Sequence, residues 1–460
     1  MASNASIKAR LTVMNFLEFA VWGAYLISMG MFLGNHGLGD KVFWFYTVQG
    51  LVSIIMPALI GIVADRWIPA QITLSLCHLL AGGFMIATGA VAAAQITATG
   101  QLQFGLLFTL YTLSVAFFMP TIGLTNSVAF NVLTQHGLDT VKHFPPIRVF
   151  GTVGFIVAEL FVNFVAVGGQ AIQYTQAQFY TSGIISVALA LYCLTLPNCP
   201  VNRAASKSLA DALGFKAFRL FKRKDMAIFF IFSMLLGVSL QITNSYGSSF
   251  IHFFSNLPEY AHGFMDGFWA NNPTFLISIS QCAEALCILM IPYCLKKFGI
   301  KGVMLMAMFA WVLRFGLFGI GDTNFPGILC LILSCIVYGV AFDFFNVSGG
   351  IYVDKQVEPA QRSSAQGLFM LMTNGIGASV GTFIAGTAVV NKLVEVPGIS
   401  LEQKLTGWHD SWLIFAAYAL VVAILFIFIF KEEKKEEISH KDVKEIKAGE
   451  MEDAGGMVNP

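Results

Sequence analysis

Apolar residues run along this chain in stretches of about twenty, long enough to cross a hydrocarbon core roughly 30 Å thick as helices, with short polar or basic segments between them. Twelve such stretches are predicted. The first six cover roughly 11–33, 42–64, 72–94, 104–130, 146–167 and 177–196. The second six cover roughly 226–250, 274–295, 303–321, 326–350, 364–389 and 411–430. Between the groups lies 197–225, with Arg203, Lys207, Lys216, Arg219, Lys222, Arg223 and Lys224. The last stretch, 431–460, is charged and poor in apolar residues, and reads as a mobile tail.

Composition agrees with lipid as the solvent. Of the 460 residues 56% are hydrophobic and 12% charged, where soluble domains carry about 25% charged. A net charge of +1 gives no sign of nucleic acid as a partner. The first apolar run follows Lys8 and Arg10, is too long for a signal-peptide core, and is taken as a retained helix. The eight cysteines (Cys77, Cys193, Cys199, Cys282, Cys287, Cys294, Cys330 and Cys335) form no C-x-x-C pair and read as packing residues. With the N-terminus cytoplasmic, the inside segments hold all of the 27 Lys and Arg except Lys41, Lys392, Lys404 and the intramembrane Arg314. The positive-inside rule therefore places both termini in the cytoplasm.

Within the spans, a few ionisable residues carry the candidate chemistry. Glu18, Glu159, Glu284, Arg314 and Asp343 each interrupt an apolar run. A charge at the centre of a spanning helix costs about 2.5–3.5 kcal/mol, so such residues usually face a wet cavity or a partner. Pro145 and Pro146 open the fifth span, and Arg148, Thr152 and Phe155 follow at i, i+4 and i+7 on one face. That face suits an anion or sugar hydroxyl on the guanidinium with a flat ring on Phe155; Arg148 snorkelling to the interface is the other reading. Gln241 and Asn244 in the seventh span, and Gln281 and Glu284 in the eighth, repeat a three-residue spacing. Amides match the edge of a nucleobase or a sugar diol, and they also glue membrane helices together. Two pairs on consecutive helices, one with a carboxylate, favour a site.

In the tenth span Tyr338 and Phe342 share one flank with Phe345 or Asn346, and Asp343 stands beside it. A carboxylate amid aromatics suits a proton carrier; a static pair with Arg314 or Arg148 is the alternative. Glu18, Trp22 and Tyr25 line one face of the first span, and Glu159, less informative, reads as a buried protonated acid. Gly375, Gly377 and Gly381 fit close helix packing rather than a phosphate loop. No nucleotide-binding loop, no metal-ligand spacing and no nucleophile–base set stands out, so neither cofactor nor enzyme chemistry is expected.

Six plus six spans with a long basic connector resemble the major facilitator superfamily. Gly61-Ile62-Val63-Ala64-Asp65-Arg66 resembles its G-x-x-x-D-R loop, without the usual basic continuation. Longer blocks are more specific. F-P-P-I-R-V-F-G-T-V-G-F, M-A-I-F-F-I-F-S-M-L-L-G-V-S-L-Q-I-T-N and I-V-Y-G-V-A-F-D-F-F-N look like the bacterial nucleoside:proton symporter family of that superfamily, as do F-M-P-T-I-G-L, S-I-S-Q-C-A-E and R-S-S-A-Q-G-L-F-M. The similarity runs from about residue 11 to 430.

The resemblance implies an all-α fold of twelve transmembrane helices in two six-helix bundles, residues 1–196 and 226–430, with 197–225 as cytoplasmic linker and 431–460 as cytoplasmic tail. It implies proton-driven uptake of nucleosides such as uridine or adenosine through the inner membrane. By the same resemblance Arg148, Thr152, Phe155, Gln241, Asn244, Gln281, Glu284, Tyr338 and Phe342 line the substrate site, and Asp343 is functionally important. Glu18 is a departure, since the members compared carry an amide there; it joins Asp343 and Glu284 as a candidate for proton coupling. Another facilitator, for a sugar or a drug, is the nearest rival. A membrane enzyme or receptor without transport is the more distant one.

Overall fold

The computed structural model describes residues 4–201, 215–357 and 362–431, and within them the chain is almost wholly helical. The first group comprises α1 (Asn4–Gly23), α2 (Met29–Leu33), α3 (Val42–Arg66), α4 (Ala70–Thr99), α5 (Phe104–Gln135), α6 (Thr140–Phe164) and α7 (Ala177–Cys193). The second comprises α8 (Lys224–Phe253), α9 (Pro273–Cys287), α10 (Ile291–Ile320), α11 (Gly327–Gln356), α12 (Arg362–Met370), α13 (Ala378–Ile384) and α14 (Leu401–Ile429). Helices α12 and α13 run into one another through a wide π turn, Leu371–Gly377. A two-residue hairpin, β1 (Ala166–Val167) against β2 (Gln170–Ala171), pairs antiparallel after α6. Most of the expected linker and nearly all of the expected tail lie outside the described residues.

Nine helical segments among the described residues are long and apolar enough to cross a membrane. Two of them, Met29–Arg66 with 38 residues and Pro273–Ile320 with 48, are longer than a bilayer requires. Each turns at a glycine with positive φ, Gly37 (84°) in the first and Gly299 (69°) in the second, a conformation that side chains with a Cβ resist. Helix ends follow local chemistry as well. Gly100 in the left-handed region stops α4, and Ser400 with Gln403 forms a reciprocal capping box at the start of α14. Lys301 Nζ donates to the carbonyls of Ile427 (3.2 Å) and Phe430 (2.6 Å) at the other end of that helix.

The structure differs from the expected spans in two places. The fifth starts at Thr140, so Pro145 and Pro146 stand inside α6 rather than at its first turn. The first is broken by a turn at residues 24–28. Exposed backbone polar groups are costly at membrane depth unless protein satisfies them, and here it does. Tyr46 donates to the Leu26 carbonyl (2.6 Å) and accepts from the Gly30 N–H (3.2 Å). Ser248 donates to the Ile27 carbonyl (2.5 Å), and Ser28 donates to Gln178 Oε1 (2.9 Å).

Helices α1–α7 pack chiefly on one another, through α1–α6, α4–α7, α4–α5 and α3–α5. Helices α8–α14 do likewise, through α10–α11, α10–α14, α9–α11 and α8 against the π turn. The two sets meet along α2–α8, α3–α13 and α6–α9. A cluster of hydrogen bonds joins them on the side where α2 and α6 end, away from the start of α1. There Asn163 Nδ2 donates to Asn272 Oδ1 (2.8 Å), the Phe275 N–H donates to Asn163 Oδ1 (3.1 Å), and Thr274 donates to Gln173 Oε1 (2.6 Å). Small residues make the closure tight. A Cβ on Gly30 would collide with the Ser245 carbonyl oxygen, and one on Gly50 would collide with Ser379 Oγ. Within the second set, Gly377 meets the Met234 carbonyl and Gly381 the Val238 backbone, so these glycines do serve packing. The last third of α5 lines an open groove with Asn126, Ser127, Phe130 and Asn131.

Candidate functional site

Helix α6 carries Arg148 toward the open side and Phe155 two turns deeper, as the i, i+7 spacing requires. The guanidinium of Arg148 lies 4.0 Å above the ring of Phe19 on α1, a cation–π contact that holds it within the protein rather than at a lipid interface. Phe155 is buried and meets Trp22 edge-on at 6.4 Å, and Trp22 in turn leans on Phe118 at 6.0 Å. Thr152 is half-buried one turn beyond Arg148 on the same helix. Neither Phe19 nor Phe118 carries a spacing signal that would mark it as a site neighbour, since both lie within apolar runs.

The second set supplies the facing wall. Helix α9 brings Gln281 and Glu284 onto one face, and the field of Glu284 reaches Arg148 across the two sets. Gln281 is buried with its Oε1 unpaired in the protein. On α8, Asn244 Nδ2 donates to Gln241 Oε1 (2.9 Å), so the two amides hold one another in place. On α11, Tyr338 and Phe342 stack with centroids 5.6 Å apart and planes 15° from parallel, and Trp311 closes edge-on against Tyr338 at 5.9 Å. Asp343 is buried beside that stack, with Oδ2 unpaired, and interacts electrostatically with Glu284.

Arg314 does not serve as a partner for Asp343. Its guanidinium sits 4.3 Å from the Tyr338 ring centroid and donates to the Ser334 carbonyl (3.0 Å) and to Ser280 Oγ (3.3 Å). It works instead as a buried brace beneath the aromatic platform.

Glu18 lies apart from this wall, enclosed among α1, α4 and α5. His78 Nε2 stands 2.7 Å from its Oε2, Thr121 donates to Oε1 (2.6 Å), and Thr125 donates to Oε2 (2.9 Å). The imidazole of His78 also meets Ser186 Oγ on α7 at 3.1 Å. All of these side chains are buried. His78, Thr121 and Thr125 carry no periodic signal with Glu18, because they come from other helices; a lone His in an apolar run was the only clue.

Amides, carboxyls and stacked rings on helices of two facing membrane sets are the kind of groups that a secondary transporter places between its halves. The comparisons with known proteins agree. Residues 5–435 match the family model described as nucleoside H+ symporter. The xanthosine permease of Escherichia coli K12 is 45% identical over 442 residues, covering 95% of this chain and 99% of that protein. The nucleoside permease NupG of the same organism is 41% identical over 432 residues, covering 93% of this chain and 96% of that protein. The crystal structure of NupG superposes with a TM-score of 0.81 at 40% identity, covering 93% of this chain and 100% of the other. A bacterial Spinster homologue, at 15% identity over 93% of this chain and 98% of its own and a TM-score of 0.65, shares the fold alone. The chain belongs to the nucleoside H+ symporter family of the major facilitator superfamily. It is a multi-pass inner-membrane transporter, not an enzyme.

Proposed function

We propose that this symporter takes up nucleosides such as uridine or adenosine by alternating access between two six-helix bundles, residues 1–196 and 226–430. Twelve crossings then span the bilayer, with Met29–Arg66 and Pro273–Ile320 each contributing to two. Both termini, the 197–225 linker and the 431–460 tail face the cytoplasm, because that orientation keeps the basic loops inside. The sealed side is then the external one, and the chamber opens inward.

The observation that supports the reading is that Arg148 on α6 lies within the electrostatic field of Glu284 on α9, across the two sets, with the stacked rings of Tyr338 and Phe342 on α11. The base stacks on Phe342 or Phe155. Arg148, Thr152, Gln241, Asn244, Gln281 and Glu284 hydrogen-bond ribose and base edges. Asp343 carries the proton, Glu284 shares its field, and Glu18 is the reserve. Coupling requires substrate affinity to depend on the protonation of that acid, with equal and opposite linkage. One inward charge gains about 2.3 kcal/mol per 100 mV, more than tenfold in accumulation.

The test is uptake of labelled uridine and adenosine by cells expressing the protein, with and without a protonophore. Concentrative uptake abolished by the protonophore is expected. Uptake that still concentrates substrate after both gradients collapse would overturn proton coupling, and competition by sugars but not by nucleosides would overturn the substrate class.

A further inference from the structure

Glu159 lies on α6 one turn beyond Phe155 and one turn before Asn163, between the substrate cluster and the seal. Its side chain is fully buried, and neither carboxyl oxygen has a hydrogen-bonding partner in the protein. A carboxylate without partners in an apolar interior is strongly disfavoured, so the closed seam accommodates this group with its proton on.

Its surroundings offer no substitute for that proton. Across the seam, Cys282 of α9 and Cys335 and Tyr338 of α11 stand within its field. Arg314, which acts on Cys335 and Tyr338, is itself bonded to Ser334 and Ser280. From α1 and the turn after it, Ala20 and Ala24 pack with Ala158 and Val162 on the adjoining turns. Tyr174, beyond the hairpin, donates to the Asn271 carbonyl (2.5 Å). Among the described residues, none of these groups facing it across the seam is a cation.

The α6–α9 seam must part when the transporter opens to the other side, and parting brings Glu159 into water. A hydrated glutamate titrates near 4.3, so at pH 7 about one in 500 carries a proton. We propose that Glu159 is a second proton-binding site, loaded from the external compartment, whose occupancy is a condition for the seam to close. The proton passes from external water or buffer to a carboxylate oxygen and returns there when the seam reopens, so it is not the proton carried across. The proposal rests on the alternating-access reading above.

The test follows the distance between two labels on encoded non-natural residues at Val167 and Met265, which are exposed on the sealed side of either set, while external pH is raised from 6 to 9. Wild type is expected to lose its short-distance population by about tenfold per pH unit once closure becomes limiting. Glu159→Gln and Glu159→Leu are expected to stay closed throughout. A Glu159→Leu variant that opens with pH as wild type does would overturn the site, as would a wild type indifferent to pH. Uridine counterflow in the same vesicles separates the two readings. A wild type that opens with rising pH as described yet exchanges no uridine overturns the substrate assignment while supporting the role of Glu159.

Discussion

Glu18 and Glu159 are both fully buried carboxyls of the first helical set, yet their surroundings are opposite. Glu18 receives Thr121, Thr125 and His78 at 2.6–2.9 Å, from α5 and α4. Glu159 receives nothing from the protein. A carboxylate wrapped in donors and paired with an imidazole is electrostatically complete, and removing a partner leaves a stranded charge. A carboxyl without partners is indifferent to its neighbours and responsive to water. Burial alone does not distinguish the two; the inventory of donors does. Glu18 is therefore held by donors within one bundle, whereas Glu159 stands on α6, which packs on α9 of the other set, without any.

The largest expected effect comes from undoing the Glu18 arrangement. His78→Ala should lower stability by about 3–5 kcal/mol, the usual result of breaking a buried pair from one side, read as a fall in thermal midpoint in detergent. A variant that melts with wild type would erase the contrast with Glu159.

Next in size are Arg148→Ala, Gln281→Ala and Phe342→Ala. Each should weaken nucleoside binding by roughly 5- to 150-fold, about 1–3 kcal/mol for a lost partner in a desolvated site, while the protein still inserts and folds. Wild-type affinity in two of the three would show that these are packing residues, more like Glu18's shell than like a chamber wall.

A smaller effect on binding, and a sharper one on coupling, separates the acids of the second set. Asp343 shares with Glu159 an unpaired buried oxygen, so Asp343→Asn should bind substrate within about threefold of wild type but lose accumulation driven by pH. Glu284→Gln should lose affinity first. Glu18→Gln, which keeps an acceptor for the hydroxyls, should remain active. Equilibrium binding beside pH-driven uptake decides the matter: accumulation by Asp343→Asn but not by Glu18→Gln would move the proton to α1.

The smallest effect is expected at Glu159 itself. Glu159→Leu replaces an unpaired buried acid by an apolar side chain of similar length, so stability in detergent should stay within about 1 kcal/mol of wild type. A loss as large as that of His78→Ala would mean that Glu159 has partners after all.

Much of this was legible in the residues. Helical spacing put Gln281 with Glu284, and Tyr338 with Phe342, because neighbours on one helix face are fixed by geometry. The same rule is silent between helices. It could not bring His78 and Thr121 to Glu18, nor Phe19 beneath Arg148, nor choose between Arg314 as a partner of Asp343 and as a brace under Tyr338. The turn at residues 24–28 was also hidden, since Ala24-Tyr25-Leu26-Ile27-Ser28 holds neither Gly nor Pro. What opens that helix is Tyr46 and Ser248 on other helices, which take up its freed backbone groups. The Gly299 turn is the opposite case: its cause lies in one residue, although the expected spans placed their gap only broadly around it.

The contact of Gly30 with the Ser245 carbonyl also has a pharmacological side. Where backbone rests on backbone, closure tolerates no added thickness, and a single methyl group is already too much. A small apolar compound arriving from the external side could act as a wedge at that point, halting the cycle without entering the nucleoside chamber. Such an inhibitor would not be outcompeted by substrate, however much nucleoside the medium contained.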